Sequence, residues 1–321
     1  MAELLHYTTI IEERIRTWLE GLSSEPLYDP VRYIMRPGGK RIRPALLLMA
    51  VEMFNGKLED AMPAALAIEV FHNFTLLHDD IMDDAPMRRG ERTVHEKWDT
   101  NSAILSGDAM FALANDQFTT LRSEQALKMF KIFNDAALVV CEGQNEDMCF
   151  EERNDVSVQE YLDMIGKKTA ALLATSLQIG AMSAQAKGDD VQAMFDLGMS
   201  MGIAFQLQDD LLDAFADPNE LGKRKGGDII SNKKTFLFLS AYEQCDDDQR
   251  TRLAAAMQLS GDEKVVQVLS LFNELHIKEM TLEKMEGYYE KASGLLEAFD
   301  ASEEAKAPLR AILDRLAIRV S

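Results

Sequence analysis

Two runs of aspartate carry the most conspicuous chemistry in this chain: Asp79-Asp80-Ile81-Met82-Asp83-Asp84 and Asp209-Asp210-Leu211-Leu212-Asp213. On a helix, Asp79 with Asp83, Asp80 with Asp84, and Asp209 with Asp213 are i,i+4 neighbours whose carboxylates share a face. These are hard oxygen donors. Mg2+ is commonly held by one or two carboxylates, with water and substrate phosphate completing its shell. A solvated acidic face is the plain alternative, since an exposed like-charge pair costs only about a few tenths of a kcal/mol. Against it, the turns before both runs are apolar. At a core edge each close pair repels by about 4 kcal/mol at an effective dielectric of about 20. A bound cation removes that cost, and protonation is the other way out.

The basic residues are gathered in three islands. Arg36-Pro37-Gly38-Gly39-Lys40-Arg41-Ile42-Arg43 carries four positive charges, Arg88-Arg89-Gly90 follows the first acidic run, and Lys223 to Lys234 nets four. Glycine beside Lys and Arg lets the backbone approach an anion while the side chains supply charge-assisted hydrogen bonds, which suits phosphate. Solvated loops are the bland reading of any one island. Together with divalent-cation ligands, the three point to a diphosphate substrate.

Long helices must hold these groups in place. Six of the eight prolines lie at or before Pro86, and none occurs from Met87 to Asp217. Proline removes a helix donor and clashes with the preceding turn, so that gap suits uninterrupted helices. Strand signals are missing, and the strong turn clusters are Pro37-Gly38-Gly39 and Gly222 to Gly227. One helix is expected from Asp60 as N-cap, with Pro63 in its first turn, to Asp84 before Ala85-Pro86. A second is expected from Val191 to Phe215, apolar almost all round and therefore interior. The fold class is all-α, and without a linker or a repeat one domain is the simpler organisation.

Composition narrows the partners. The 321 residues hold 54 acidic and 34 basic side chains, a formal net charge of -20, which argues against a nucleic-acid partner. Cys141, Cys149 and Cys245 form no paired or metal-binding framework, so a reduced, cytoplasmic setting is expected. Glu3, Glu12, Glu13, Arg14 and Arg16 within the first 25 residues argue against a signal peptide. The longest apolar stretch, Pro44 to Val51, is far short of the roughly 18 residues of a membrane span.

Three segments together resemble a known family: Gly38-Gly39-Lys40-Arg41-Ile42-Arg43-Pro44; His78-Asp79-Asp80-Ile81-Met82-Asp83 running to Arg88-Arg89-Gly90; and Phe205-Gln206-Leu207-Gln208-Asp209-Asp210-Leu211-Leu212-Asp213. They resemble the trans-isoprenyl diphosphate synthases of the farnesyl and geranylgeranyl type, over about Arg36 to Lys234. The likeness weakens over the first 30 and last 80 residues, which read as helical packing. It implies a single-domain bundle of long helices around a deep central cavity, paired as a homodimer, with the two aspartate-rich motifs facing each other across the cavity mouth. It also implies three Mg2+ ions on an allylic diphosphate. Asp79, Asp83 and Asp209 are then direct ligands, and Asp80, Asp210 and Asp213 act directly or through water. Arg88, Lys168, Lys223 and Lys233 are expected to clamp the allylic diphosphate. Isopentenyl diphosphate is expected on Lys40, Arg43, His72 and Arg89. His72 precedes Asp79 by seven residues, two turns along one helix face. Thr169 and Gln206 match positions whose oxygens lie near the allylic cation, and Gln144 and Asp147 a further, supporting motif.

Product length in this family depends on side chains one to three turns before the first motif. Phe71, Phe74 and Thr75 stand eight, five and four residues before Asp79. One aromatic with Thr75 beside it resembles the geranylgeranyl (C20) enzymes, with farnesyl (C15) next. The helical wheel gives no independent support, since Phe74 lies about 140° round from Asp79 at about 100° per residue. A class I terpene cyclase is the rival enzyme, but its second metal motif is usually of Asn/Asp-Ser/Thr-Glu type and it needs no second diphosphate site. A non-catalytic partner subunit would be expected to lack part of a metal motif, whereas both are complete here.

Overall fold

The computed structural model describes residues 2–36, 39–216 and 225–318. Helix follows helix: α1 (Ala2–Glu20), α2 (Asp29–Ile34), α3 (Ile42–Met53), α4 (Leu58–Met82), α5 (Val94–Lys97), α6 (Thr100–Thr119), α7 (Ala126–Glu152), α8 (Val158–Ile165), α9 (Ala171–Ser183) and α10 (Gly188–Phe215). After these come α11 (Gly227–Ile230), α12 (Phe236–Gln244), α13 (Asp247–Met257), α14 (Gly261–Glu274), α15 (Ile277–Ala298) and α16 (Glu303–Ile318). The fold class is all-α. The only strands among the described residues are β1 (Met87–Arg88) and β2 (Glu91–Arg92), an antiparallel pair with Arg88 opposite Glu91. Arg89 and Gly90 between them take φ of 54° and 80°. Two positive angles in a two-residue connection are those of a type I′ hairpin turn.

The chain packs as two compact units. The first comprises Met1–Asp135, Thr175–Phe195 and Asp300–Ala311. Here α4 packs on α3 and α6, and α1 lies on α3 and α4. From Ala64 to Phe71 every residue of α4 is buried, Glu69 included, so this helix is a core element throughout that stretch. It begins at Leu58 rather than Asp60, with Lys57 as the residue before it. Glu59 and Asp60 thereby fall in the first turn, where carboxylates meet the positive end of the helix dipole. Pro63 moves to the second turn.

The second unit comprises Ala136–Ala174, Asp196–Phe299 and Ile312–Ser321. In it α12 packs on α15, and α14 on α11, α13 and α15. Between α8 and α9 the chain widens into one π turn, Gly166–Ala170. Such single turns are often found at functional sites. Helix α10 begins at Gly188, ahead of Val191, because Asp189 and Asp190 suit its first turn as the acidic pair does in α4. None of its large apolar side chains from Met194 to Leu211 is exposed. No helix among the described residues is long and apolar enough to cross a membrane.

Candidate functional site

In the first unit, α3, α4 and the β1–β2 hairpin bring a cationic cluster together. Arg43 Nη1 stands 3.1 Å from His72 Nε2. Burial holds the His72 ring well below its usual pKa, and Arg43, Arg89, Arg88 and Arg41 push in the same direction. The neutral ring can therefore accept a hydrogen bond from Arg43. Burial also brings Arg43 down to about 10, with Arg89 adding to the fall and Glu69 opposing it. Arg89 is lowered by desolvation and then by Arg41. Cations that depress one another in this way are short of negative partners, and an anion would restore the balance. The hairpin turn aims Arg89 at the first basic island: a Cβ added at Gly39 would stand 3.1 Å from Arg89 Nη1. Lys40 beside it is exposed.

The first acidic run lies at the end of α4. Asp79 is half-buried and Asp83, the C-cap, is exposed. Asp80 is buried and accepts a hydrogen bond from Arg88 Nε at 2.7 Å. Burial raises its pKa while Arg88 opposes the rise. Asp80, Arg88 and Arg89 line a cavity of about 260 Å³ together with Tyr33, Arg36 and Asn73. Upstream on α4, the Phe74 ring lies 5.5 Å from Phe71, 5.6 Å from Phe111 and 4.7 Å from the His78 ring. Phe71 is fully buried and also meets Phe133 at 5.4 Å. The Thr75 hydroxyl donates to the His72 carbonyl at 2.8 Å.

In the second unit the π turn and α10 build a continuous network. The Thr169 hydroxyl donates to Gln206 Oε1 at 3.0 Å, and Gln206 Nε2 donates to Asp210 Oδ1 at 3.1 Å. The buried Tyr161 hydroxyl donates to Asp210 Oδ2 at 2.6 Å. Burial is the main cause that pushes Asp210 up to about 8; Asp228 and Asp209 add to the rise, and the Tyr161 and Gln206 hydrogen bonds oppose it. Lys168 Nζ meets Asp147 Oδ2 at 2.6 Å. Asp213 is half-buried and accepts from the Asp228 backbone N–H at 3.0 Å. Asp147, Lys168, Gln206 and Asp210, with exposed Asp209 and half-buried Lys233, border a small cavity of about 130 Å³.

The donor set fits Mg2+. Among the described residues no group of three acidic, His or Cys side chains forms a ready-made metal cage. Mg2+ seldom uses one, taking a carboxylate or two with water and phosphate. An accessible Asp209 beside a buried carboxylate with a raised pKa is a place where added positive charge relieves repulsion. Lys223 lies outside the described residues, as do Pro37 and Gly38 of the first basic island. Sequence reasoning missed Tyr161 and Asp228 as neighbours of Asp210. Tyr161 is 49 residues away in sequence and lies in no recognisable run, and Asp228 is the one acidic residue of the third basic island, where the surrounding lysines drew the reading toward phosphate.

A family model for polyprenyl synthetase matches residues 24–275. The chain belongs to the polyprenyl synthetase family. It is 43% identical over 251 residues to a geranylgeranyl diphosphate synthase of Sulfolobus acidocaldarius, covering 77% of this chain and 76% of that one. A short chain isoprenyl diphosphate synthase of Methanothermobacter thermautotrophicus is 41% identical over 266 residues, 82% of this chain and 81% of that one. The crystal structure of a geranylgeranyl pyrophosphate synthase superimposes with a TM-score of 0.93 at 44% identity, covering 99% of each chain. The protein is thus a prenyltransferase of the short-chain isoprenyl diphosphate synthase kind. Its family generally depends on Mg2+ and joins isopentenyl diphosphate to an allylic diphosphate.

Proposed function

We propose that this synthase condenses isopentenyl diphosphate with an allylic diphosphate, head to tail and trans, and releases geranylgeranyl diphosphate as its main product, with farnesyl diphosphate next. The observation that carries the reading is the cluster of Arg43, Arg89 and neutral His72, whose charges call for an anion close to the aspartate run. Lys40, Arg43, His72 and Arg89 take the isopentenyl diphosphate. Arg88, Lys168, Lys233 and Lys223 take the allylic diphosphate. Asp79, Asp83 and Asp209 hold Mg2+, three ions in all, with Asp80, Asp210 and Asp213 acting directly or through water. Bound Mg2+ supplies positive charge against the diphosphate that departs.

The allylic carbon–oxygen bond breaks with its electron pair going to the diphosphate, leaving a delocalised cation. Thr169 and Gln206 direct oxygen dipoles toward that cation and stabilise it without capturing it. The isopentenyl double bond then attacks, a proton passes to the departed diphosphate, and a new allylic diphosphate one C5 unit longer results. Phe71, Phe74 and Thr75 bound the growing chain, and the ring cluster around Phe74 supports a floor of fixed depth.

Ile104 and Leu105 are exposed apolar residues on α6 and support a homodimer, which light scattering would test. None of Cys141, Cys149 and Cys245 is in a disulfide among the described residues, which supports a cytoplasmic setting. No composition break separates the two units, which supports one catalytic domain over the whole chain. Labelled isopentenyl diphosphate incubated with C5, C10 and C15 primers, with and without Mg2+, tests the function. Metal-dependent incorporation and a C20 product by mass spectrometry are expected. No incorporation with any primer rejects the synthase reading.

A further inference from the structure

Arg41 separates Lys40 from Arg43, and its side chain does something different from either. Its guanidinium is wholly buried. Nε donates to Glu12 Oε1 of α1 at 2.6 Å, and Nη1 to Glu69 Oε1 of α4 at 2.7 Å. Nη2 donates to the backbone carbonyls of Met35 at 2.9 Å and Arg36 at 3.0 Å. One planar fork therefore ties α1, the chain after α2, the start of α3 and the middle of α4, a use for which Arg geometry is suited and Lys is not.

The backbone at Arg41 is held in an uncommon state. It has φ of 46°, in the left-handed region, and its carbonyl accepts the N–H of Ala45 at the start of α3. That conformation is unfavourable in a non-glycine residue and persists only where surroundings enforce it. The four guanidinium bonds are that enforcement. They also fix the directions in which Lys40 and Arg43 leave the chain on either side. On α4, Glu69 and His72 are three residues apart on one face. Arg41 on Glu69 and Arg43 at His72 are consequently two rungs of one register. Asn73 completes the anchor by donating to Glu69 Oε1 at 3.0 Å.

Glu12 is the unexpected member. It lies before the part of the chain that matches the family model, residues 24–275, in a helix that otherwise buries Tyr7, Ile11 and Ile15 as packing. Its side chain keeps 25% exposure while Glu69 keeps 2%, so it closes the triad from the surface side. We propose that Arg41 and Glu12, with Glu69, are positioning residues that set the Lys40–Arg43 loop for isopentenyl diphosphate, making α1 a part of that subsite's support. This rests on the prenyltransferase reading. Neither Glu12 nor Arg41 touches substrate; both act through the loop.

The test separates loop positioning from general stability by measuring the two substrates apart. Isopentenyl diphosphate alone does not turn over without an allylic primer, so its binding can be read by calorimetry on the full-length protein, beside steady-state kinetics and thermal melting. Glu12→Gln is expected to weaken isopentenyl diphosphate binding and raise its KM about tenfold, while the KM for the allylic primer and kcat stay within about twofold. Arg41→Met is expected to raise the same KM about a hundredfold, with a lower melting temperature. Should Arg41→Met fail to fold, Glu12→Gln alone decides. A Glu12→Gln protein that melts earlier yet binds isopentenyl diphosphate like the wild type overturns the proposal. An equal rise in both KM values overturns it as well. A wild-type protein that binds no isopentenyl diphosphate rejects the underlying reading, a result visible before any variant is made.

Discussion

Asp80 and Asp210 are the second aspartates of their runs and each is only 2% exposed, yet the two are compensated by different means. Asp80 receives a cation, Arg88, at 2.7 Å. Asp210 receives two neutral dipoles, the Tyr161 hydroxyl and the Gln206 amide, with Asp228 and Asp209 adding negative charge. A full charge cancels most of the cost of burying a carboxylate, whereas dipoles reduce it only in part. Asp210 is accordingly pushed up to about 8, while the rise at Asp80 is opposed by its arginine. Two runs that look alike in sequence thus differ at rest: the buried aspartate of the first has a cationic partner, and the buried aspartate of the second, held by neutral dipoles, carries the stronger demand for added positive charge.

The most severe test removes an accessible carboxylate from either run. Asp79→Ala and Asp209→Ala should each lower kcat/KM by about a thousandfold or more, measured as incorporation of labelled isopentenyl diphosphate. Near-wild-type turnover in one variant would assign the metal chemistry to the other region alone. Phe74→Ala should lengthen the product by at least one C5 unit, while Gln206→Ala should slow turnover at unchanged length; mass spectrometry of both products checks that division of labour. An unchanged product from Phe74→Ala removes Phe74 from the floor.

Smaller effects bear on the two compensators. Arg88→Met should cost about 2 kcal/mol in urea unfolding, less than a fully buried pair because Arg88 reaches solvent. Tyr161→Phe should cost about 1 kcal/mol. The reverse order would mean that the tyrosine, not the arginine, is the stronger compensator. Finally, a carboxyl raised in the folded state stabilises it fully below its unfolded pKa and loses that contribution as pH rises through the folded value. Without Mg2+, stability should therefore fall between pH values of about 4 and 8 from Asp210. Asp210→Asn should flatten that part of a melting-temperature profile, and an unaltered slope would place the titration elsewhere.

The acidic runs and the basic islands were legible as contiguous runs, and Asp209 with Asp213 does share a helix face; α4 instead stops at Met82, with Asp83 as its C-cap and Asp84 at φ of 48°, so the expected Asp80–Asp84 helical pair does not form. The proline-free stretch likewise foretold α6 to α10. Relations between distant segments were not legible. Tyr161 reaches Asp210, and Glu12 reaches Arg41 across 29 residues, through side chains with no motif around them. The β1–β2 hairpin escaped because its strands are two residues each, too short to alternate. The first helix looked like plain packing because Tyr7, Ile11 and Ile15 do pack, and nothing in the local pattern sets Glu12 apart from Glu13.

Binding of an allylic diphosphate through Mg2+ is proposed to need both aspartate runs. Calorimetric titration of a non-ionisable thiolo analogue of the C15 allylic diphosphate, with and without Mg2+, on the wild type, Asp79→Asn and Asp209→Asn decides whether it does. Mg2+-dependent binding by the wild type and a loss of about tenfold or more in each variant are expected. Binding by the wild type that ignores Mg2+, or a variant that binds as tightly as the wild type, would contradict it.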